Sequence, residues 1–117
     1  MRAAVYLGAG LLVLTTMLVT GGRTAAAEGP QPSVEMGKKL FSDPALGTNG
    51  KTCATCHASD AAIAGLASKK SWFGGEAGTL EQAVNICIKG PLEGKPLAED
   101  SVEARSIAMF MKSLIKN

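Results

Sequence analysis

Strand-like sequence is missing from this chain. Nowhere do apolar and polar residues alternate over a useful length, and no segment repeats, so sheet and repeat architectures are excluded and the fold class is all-α. An excess of charge of one sign is missing as well. The nominal +2 comes from Arg2 and Arg23, and beyond residue 27 ten Lys and Arg face ten Asp and Glu, which leaves no composition-level case for a nucleic-acid partner. Histidine occurs once, at His57, and methionine is absent between His57 and Met109. Cysteine is scarce and odd in number: with three in the chain, at least one has no intramolecular disulfide partner in an oxidising compartment and needs another use.

The first 27 residues stand apart. Arg2 precedes an apolar run from Ala3 to Val19 that leads to Ala25, Ala26 and Ala27, the pattern of a secretory signal with an A-x-A cleavage site. The expected mature chain starts at Glu28 and is periplasmic. The run exceeds the roughly 7 to 15 residues of a usual signal core, so the alternative is an uncleaved anchor that holds the chain at the membrane, facing the periplasm. Residues 28–117 read as one domain of 90 residues. A chain of that size buries only around two-thirds of its unfolded surface, and a bound apolar cofactor would enlarge the core.

Within that domain Ser33 predicts the N-cap of a short helix with Val34, Gly37, Leu40 and Phe41 on one face, stopped by Asp43-Pro44. Leu46 to Thr52 reads as a loop and Cys53 to His57 as a helical turn. Ala58 to Gly78 reads as a short helix and then a loop, with the aromatic pair Trp72-Phe73 ahead of Gly74-Gly75. Thr79 and Gln82 predict a capping box for a helix carrying Leu80, Ala83, Val84, Cys87 and Ile88, with Cys87 on its last turn before Gly90-Pro91. After a loop containing "EGKPL", Asp100 and Glu103 predict a second capping box, for a helix whose apolar stripe is Ala104, Ile107, Ala108, Phe110, Met111, Leu114 and Ile115.

The chemistry concentrates in "GKTCATCHASD", Gly50 to Asp60. Cys53, Cys56 and His57 form C-x-x-C-H, the attachment signature of c-type haem. Two thiols three positions apart can each add to one of the two vinyl groups on a porphyrin edge, and the adjacent histidine then lies beneath the iron as proximal ligand. Export, which this assembly needs, agrees with the leader. The expected cofactor is one covalent haem c. Three other uses of the same residues compete. A redox disulfide between Cys53 and Cys56 would suit a βαβ setting that no strand pattern provides. Zinc on Cys53, Cys56, His57 and Cys87 has the correct ligand count, but consecutive Cys56 and His57 fit poorly at two tetrahedral corners. A structural disulfide leaves His57 and Cys87 without a role.

On these residues the chain resembles the small class I cytochrome c family over nearly all of residues 28–117. Gly37 and Phe41 look like its G-x-x-x-F/Y, "CATCH" like its haem motif, and Phe110 like the aromatic of its C-terminal helix. The resemblance implies a small cytochrome c fold whose N- and C-terminal helices cross near the small residue and pack around one covalent haem. An electron-carrying member normally supplies a Met, commonly followed by Pro, from the loop before the last helix, and this sequence has none there. The segment "LEQAVNICIKGPLEGKPLAEDSVEA" is similar to the haem domains of periplasmic thiosulfate dehydrogenases and of the cytochrome subunit of bacterial sulfur oxidation. In those domains a Cys at the corresponding helix end is a distal thiolate, so the resemblance implies iron held between His57 and Cys87. Lys95, where a Met-Pro would stand, is the runner-up, although an amine must lose its proton to bind iron. Met109 and Met111 read as core filler, and an open distal position is the remaining alternative. Trp72 reads either as core or as a shield of the haem edge whose indole N–H reaches a propionate.

The expected function is electron transfer by an exported monohaem cytochrome, with redox proteins as partners, another cytochrome subunit being one option, and membrane contact only if the leader is retained. With His57 taken by iron no independent catalytic base is left. The alternative is an enzyme or enzyme subunit that oxidises thiosulfate or sulfide through a reactive Cys87. A second haem domain is usual in the dehydrogenases resembled, and its absence from this sequence favours an electron carrier or a partner subunit over an autonomous enzyme.

Overall fold

A computed structural model describes residues 29–117. The expectations about the leader, the anchor and the start at Glu28 lie outside the described residues. The described chain runs through α1 (Val34–Phe41), a 3-10 turn (Pro44–Leu46), α2 (Cys53–Cys56), α3 (Asp60–Ala67), a second 3-10 turn (Phe73–Gly75), α4 (Leu80–Lys89) and α5 (Val102–Ser113). Among the described residues the one pairing of extended backbone is the bridge between Trp72 and Ala77, so the fold is all-α and consistent with a small cytochrome c fold.

Each helix starts where a side-chain oxygen can accept an otherwise orphaned N–H. Ser33 caps α1 by accepting from the Met36 N–H at 3.1 Å, and Ser59 does the same for α3 from Ala62 at 3.2 Å. Two caps differ from the sequence reading. The N-cap of α5 is Ser101, not Asp100, and it accepts from the Ala104 N–H at 3.1 Å. At α4 the Thr79 hydroxyl accepts from the Gln82 N–H at 3.2 Å as expected, but the Gln82 amide oxygen accepts from Gly78 at 3.0 Å, so the reciprocal half of the box is displaced by one residue. The α5 stripe is also shorter than the pattern suggests: the helix ends at Ser113 and Ile115 is exposed.

The central packing event is the crossing of α1 over α5. Gly37 faces Ser106 and Phe110 so closely that a Cβ built on it would run into the Ser106 carbonyl, which explains why only glycine fits there. Beside this point the Phe41 and Phe110 rings meet edge to face at 5.3 Å, an arrangement aromatic quadrupoles favour. Ser106, a polar residue with no exposed surface, accepts from the Ser33 N–H at 3.1 Å and so ties the start of α1 to the middle of α5. The core continues through Ile107 and Met111 of α5 to Ile63 of α3 and to Leu80, Val84 and Ile88 of α4. No helix among the described residues is long and apolar enough to cross a membrane.

Candidate functional site

Between α2, α4 and α5 lies a cavity of about 320 Å³ with an almost wholly apolar wall. Such a volume is at the lower end of the usual range for small-molecule and cofactor pockets. Cys53, Cys56 and His57 stand on one side of it, Cys87 on α4, Ile107 and Met111 on α5, and Trp72 and Phe73 on the loop before α4. The three cysteines and the single histidine, more than thirty positions apart at the extremes, therefore line one cavity.

The motif is presented by a single turn of helix. Thr52 and Thr55 make a complete capping box: Thr55 N–H donates to the Thr52 hydroxyl at 3.2 Å and Thr52 N–H to the Thr55 hydroxyl at 2.9 Å. The T-x-x-T spacing carries that signal in the sequence, but it was hidden inside the C-x-x-C-H. His57 ends the turn, with its N–H donating to the Cys53 carbonyl at 3.0 Å. Burial is the main reason that the Cys53 thiol is pushed up to about 11, with the thiol groups of Cys87 and Cys56 adding to it. Burial also pushes the Cys87 thiol up, and Cys56 adds to that. The three sulfurs are thus close enough to feel one another, and the partly buried Cys53 and Cys87 thiols are neutral near pH 7. All three cysteines are unpaired, and among the described residues no group of three or more His, Cys, Asp or Glu side chains is placed to hold a metal ion, so the zinc arrangement is not assembled.

These features fit a haem. An apolar macrocycle needs an apolar slot, its vinyl edge needs two thiols at the rim, and its iron needs donors from the slot's walls; the cavity offers its apolar lining for the first need, Cys53 and Cys56 for the second, and His57 and Cys87 for the third. The competing distal donors separate. Lys95 is exposed and does not line the cavity, and Met109 is exposed and also lies off it. Met111, by contrast, is buried as the core-filler reading expects, and it also lines the cavity. Trp72 lines the cavity as a shield should, but its indole N–H donates to the Leu66 carbonyl at 2.8 Å and is not free for a propionate.

Residues 31–86 match the family model of the di-haem cytochrome c peroxidases. The match takes in Gly37, Phe41 and the whole of C-x-x-C-H and stops one residue before Cys87. No curated protein and no solved structure matches the chain. The matched family is one of haem proteins, and nothing in these comparisons points to thiosulfate dehydrogenases or to sulfur oxidation. The chain thus contains a c-type cytochrome-like region with a haem-based redox function.

Proposed function

We propose that the protein is an exported monohaem c-type cytochrome that carries single electrons between redox partners in the periplasm. Haem supplies the one-electron ferric/ferrous couple; the chain's own residues hold it, tune it and exclude water. Cys53 and Cys56 would hold the haem through thioether bonds, and His57 and Cys87 would supply the ligands of its iron. The observation that carries this reading is that Cys87, thirty residues beyond His57, lines the same apolar cavity as the C-x-x-C-H turn. Partial burial favours the neutral Cys87 thiol, so its ionisation calls for a nearby positive charge, which ferric iron would provide. A thiolate donates charge to iron and favours the ferric state, so this cytochrome sits at the reducing end of the c-type range.

A second reading, in which Cys87 is also the thiol that reacts with thiosulfate or sulfide, is favoured by its half-buried place on the cavity wall. In that case the chain is a subunit that hands electrons to another cytochrome. The primary test is denaturing electrophoresis of the exported protein followed by haem staining. Colour that stays with the polypeptide in the wild type and is weakened by Cys53→Ala or Cys56→Ala supports covalent attachment, whereas colour that runs with the solvent front overturns it.

A further inference from the structure

The helix that presents the C-x-x-C-H turn is not among the helices that pack most closely. The extensive contacts join α1 with α5, α4 with α5 and α3 with α5, and α2 enters none of them. Something else must therefore fix where Cys53 to His57 sit relative to Cys87. Two loops do so: residues 47–49, just before α2, and residues 91–94, just after α4.

These loops are sewn together by side chains of Thr48 and Asn49. The Thr48 N–H donates to the Leu92 carbonyl at 3.0 Å and its hydroxyl donates to the Glu93 carbonyl at 2.8 Å. The Asn49 amide is used at both ends. Its Nδ2 donates to the Pro91 carbonyl at 2.9 Å, and its Oδ1 accepts from the Lys51 N–H at 3.1 Å, two residues before Cys53. On the far side the 91–94 loop is fastened to the end of α4, with Leu92 N–H donating to the Cys87 carbonyl at 3.2 Å and Gly94 N–H to the Ile88 carbonyl at 2.7 Å. The backbones are pressed together as well: a Cβ on Gly47 would strike Leu92, and one on Gly94 would strike the Leu46 carbonyl. Glu93 holds a positive φ of 51° within this seam, a conformation that persists only where the surroundings over-determine it. Pro91 and Leu92 are themselves part of the cavity wall. Hydrogen bonds thus link the Cys87 carbonyl through Leu92, Thr48 and Asn49 to Lys51, and of these residues only Leu92 belongs to the buried core.

We propose that Thr48 and Asn49 are positioning residues that clamp the distal wall of the haem site against its proximal turn, and that they determine how readily the distal position opens to an external ligand. The proposal rests on the haem reading above. It does not require that Cys87 be the distal ligand, because the clamp fixes the Pro91–Leu92 wall in either case. Neither side chain lines the cavity, so both act through the loop they hold.

The test uses imidazole, titrated into the ferric, haem-loaded protein and followed by the visible spectrum. Apparent affinity for such a ligand scales with the fraction of molecules whose distal side is open. Loss of one ordinary hydrogen bond from the clamp raises that fraction by about five- to tenfold. Asn49→Ala and Thr48→Val are each expected to bind imidazole more tightly by about that factor and to broaden the ferric paramagnetic resonance signal. Thr48→Ser, which keeps the hydroxyl, is expected to restore wild-type affinity. Asn49→Asp keeps the acceptor for Lys51 but loses the donor to Pro91 and is expected to behave like Asn49→Ala. Ser106→Ala is the control for stability alone: it removes the buried bond to Ser33 far from the loops and is expected to leave imidazole affinity unchanged. If Thr48→Val and Asn49→Ala bind imidazole as the wild type does, or if Ser106→Ala moves the affinity equally, the clamp is refuted. A wild-type protein that carries no haem refutes the haem reading instead, which separates the two failures.

Discussion

Replacing Gly37 with alanine sets two effects of opposite sign against each other. Glycine inside a helix is about 1 kcal/mol less favourable than alanine, so propensity alone says that the variant is stabilised. Packing says the reverse. The new Cβ would collide with the Ser106 carbonyl and come within 2.8 Å of the Phe110 Cβ, and a backbone carbonyl in the middle of α5 cannot rotate out of the way. α1 has to retreat. Overpacking of this kind costs typically 1–3 kcal/mol, and opening the seam weakens the Phe41–Phe110 pair, worth about 0.5–1.5 kcal/mol more. With packing near 3 kcal/mol and propensity near 1, the net loss is about 2 kcal/mol, or a fall in Tm of roughly 8–16 °C for a domain of this size. Gly65 supplies the internal control, because it lies in α3 with no atom within 4 Å of a built Cβ and is exposed. Gly65→Ala should gain about 0.5–1 kcal/mol. Far-UV circular dichroism of the haem-loaded proteins during thermal unfolding measures both. A Gly37→Ala protein that melts at or above the wild type, while Gly65→Ala rises as expected, would show that α1 and α5 do not cross this closely.

Other outcomes follow from the same structure. Cys87→Ser should remove thiolate features from the ferric spectrum without removing the haem, and Cys87→Met should raise the reduction potential; if both variants keep the parent spectrum and potential, Cys87 only packs. Trp72→Phe deletes the bond from Nε1 to the Leu66 carbonyl and should lower stability by about 1 kcal/mol with the potential unchanged; a shifted potential at full stability would mean that the indole serves a propionate after all. In the full chain made without haem, iodoacetamide at pH 8 should label exposed Cys56 well before Cys53, as read by peptide mass spectrometry, and equal rates would contradict the partly buried placement of Cys53. In the same haem-free chain, where Cys53 keeps a free thiol, burial raises that thiol from its ordinary value near 9 to about 11, so its contribution to stability is intact below pH 9 and is lost as pH rises from there through about 11, as denaturant unfolding over that range should show.

The parts of the fold that were legible in the sequence are those set by local rules. Ser33 and Thr79 announce helix starts, the apolar periodicity of α4 and α5 announces which faces are buried, and the C-x-x-C-H spacing marks the turn that stands at the cavity. The parts that were not legible depend on which of several adequate partners wins. Asp100 and Ser101 are both good caps, and only the backbone's entry angle decides for Ser101. Gln82 can reach either Thr79 or Gly78, and its second contact, an amide donor to Glu99 at 3.2 Å, draws it toward Gly78. Trp72 has one N–H and several conceivable acceptors, and the nearby end of α3 provides the closest. Ser106 reads as an interruption of an apolar stripe until α1 is laid across it. The seam between residues 47–49 and 91–94 joins segments more than forty residues apart, which no periodicity could announce.

The same distinction bears on the choice of distal ligand. Besides Cys53 and Cys56, two sulfur-bearing residues line the cavity, Cys87 and Met111, and the sequence reading preferred the first and took the second as core filler. Their settings differ. Met111 belongs to the stripe of α5 that is locked by α1 through Gly37 and Ser106, and moving it toward a ligand position would disturb the best-packed part of the molecule. Cys87 stands on the last turn of α4, where the chain leaves the helix and the loop that follows is held by hydrogen bonds together with the single buried side chain of Leu92. A helix end can shift by fractions of an ångström for the cost of a few polar contacts, whereas a packed helix face cannot. Charge points the same way: an anionic donor is attracted to ferric iron, and the burial that keeps the Cys87 thiol neutral in the chain alone is the burial that strengthens that attraction once the iron is present.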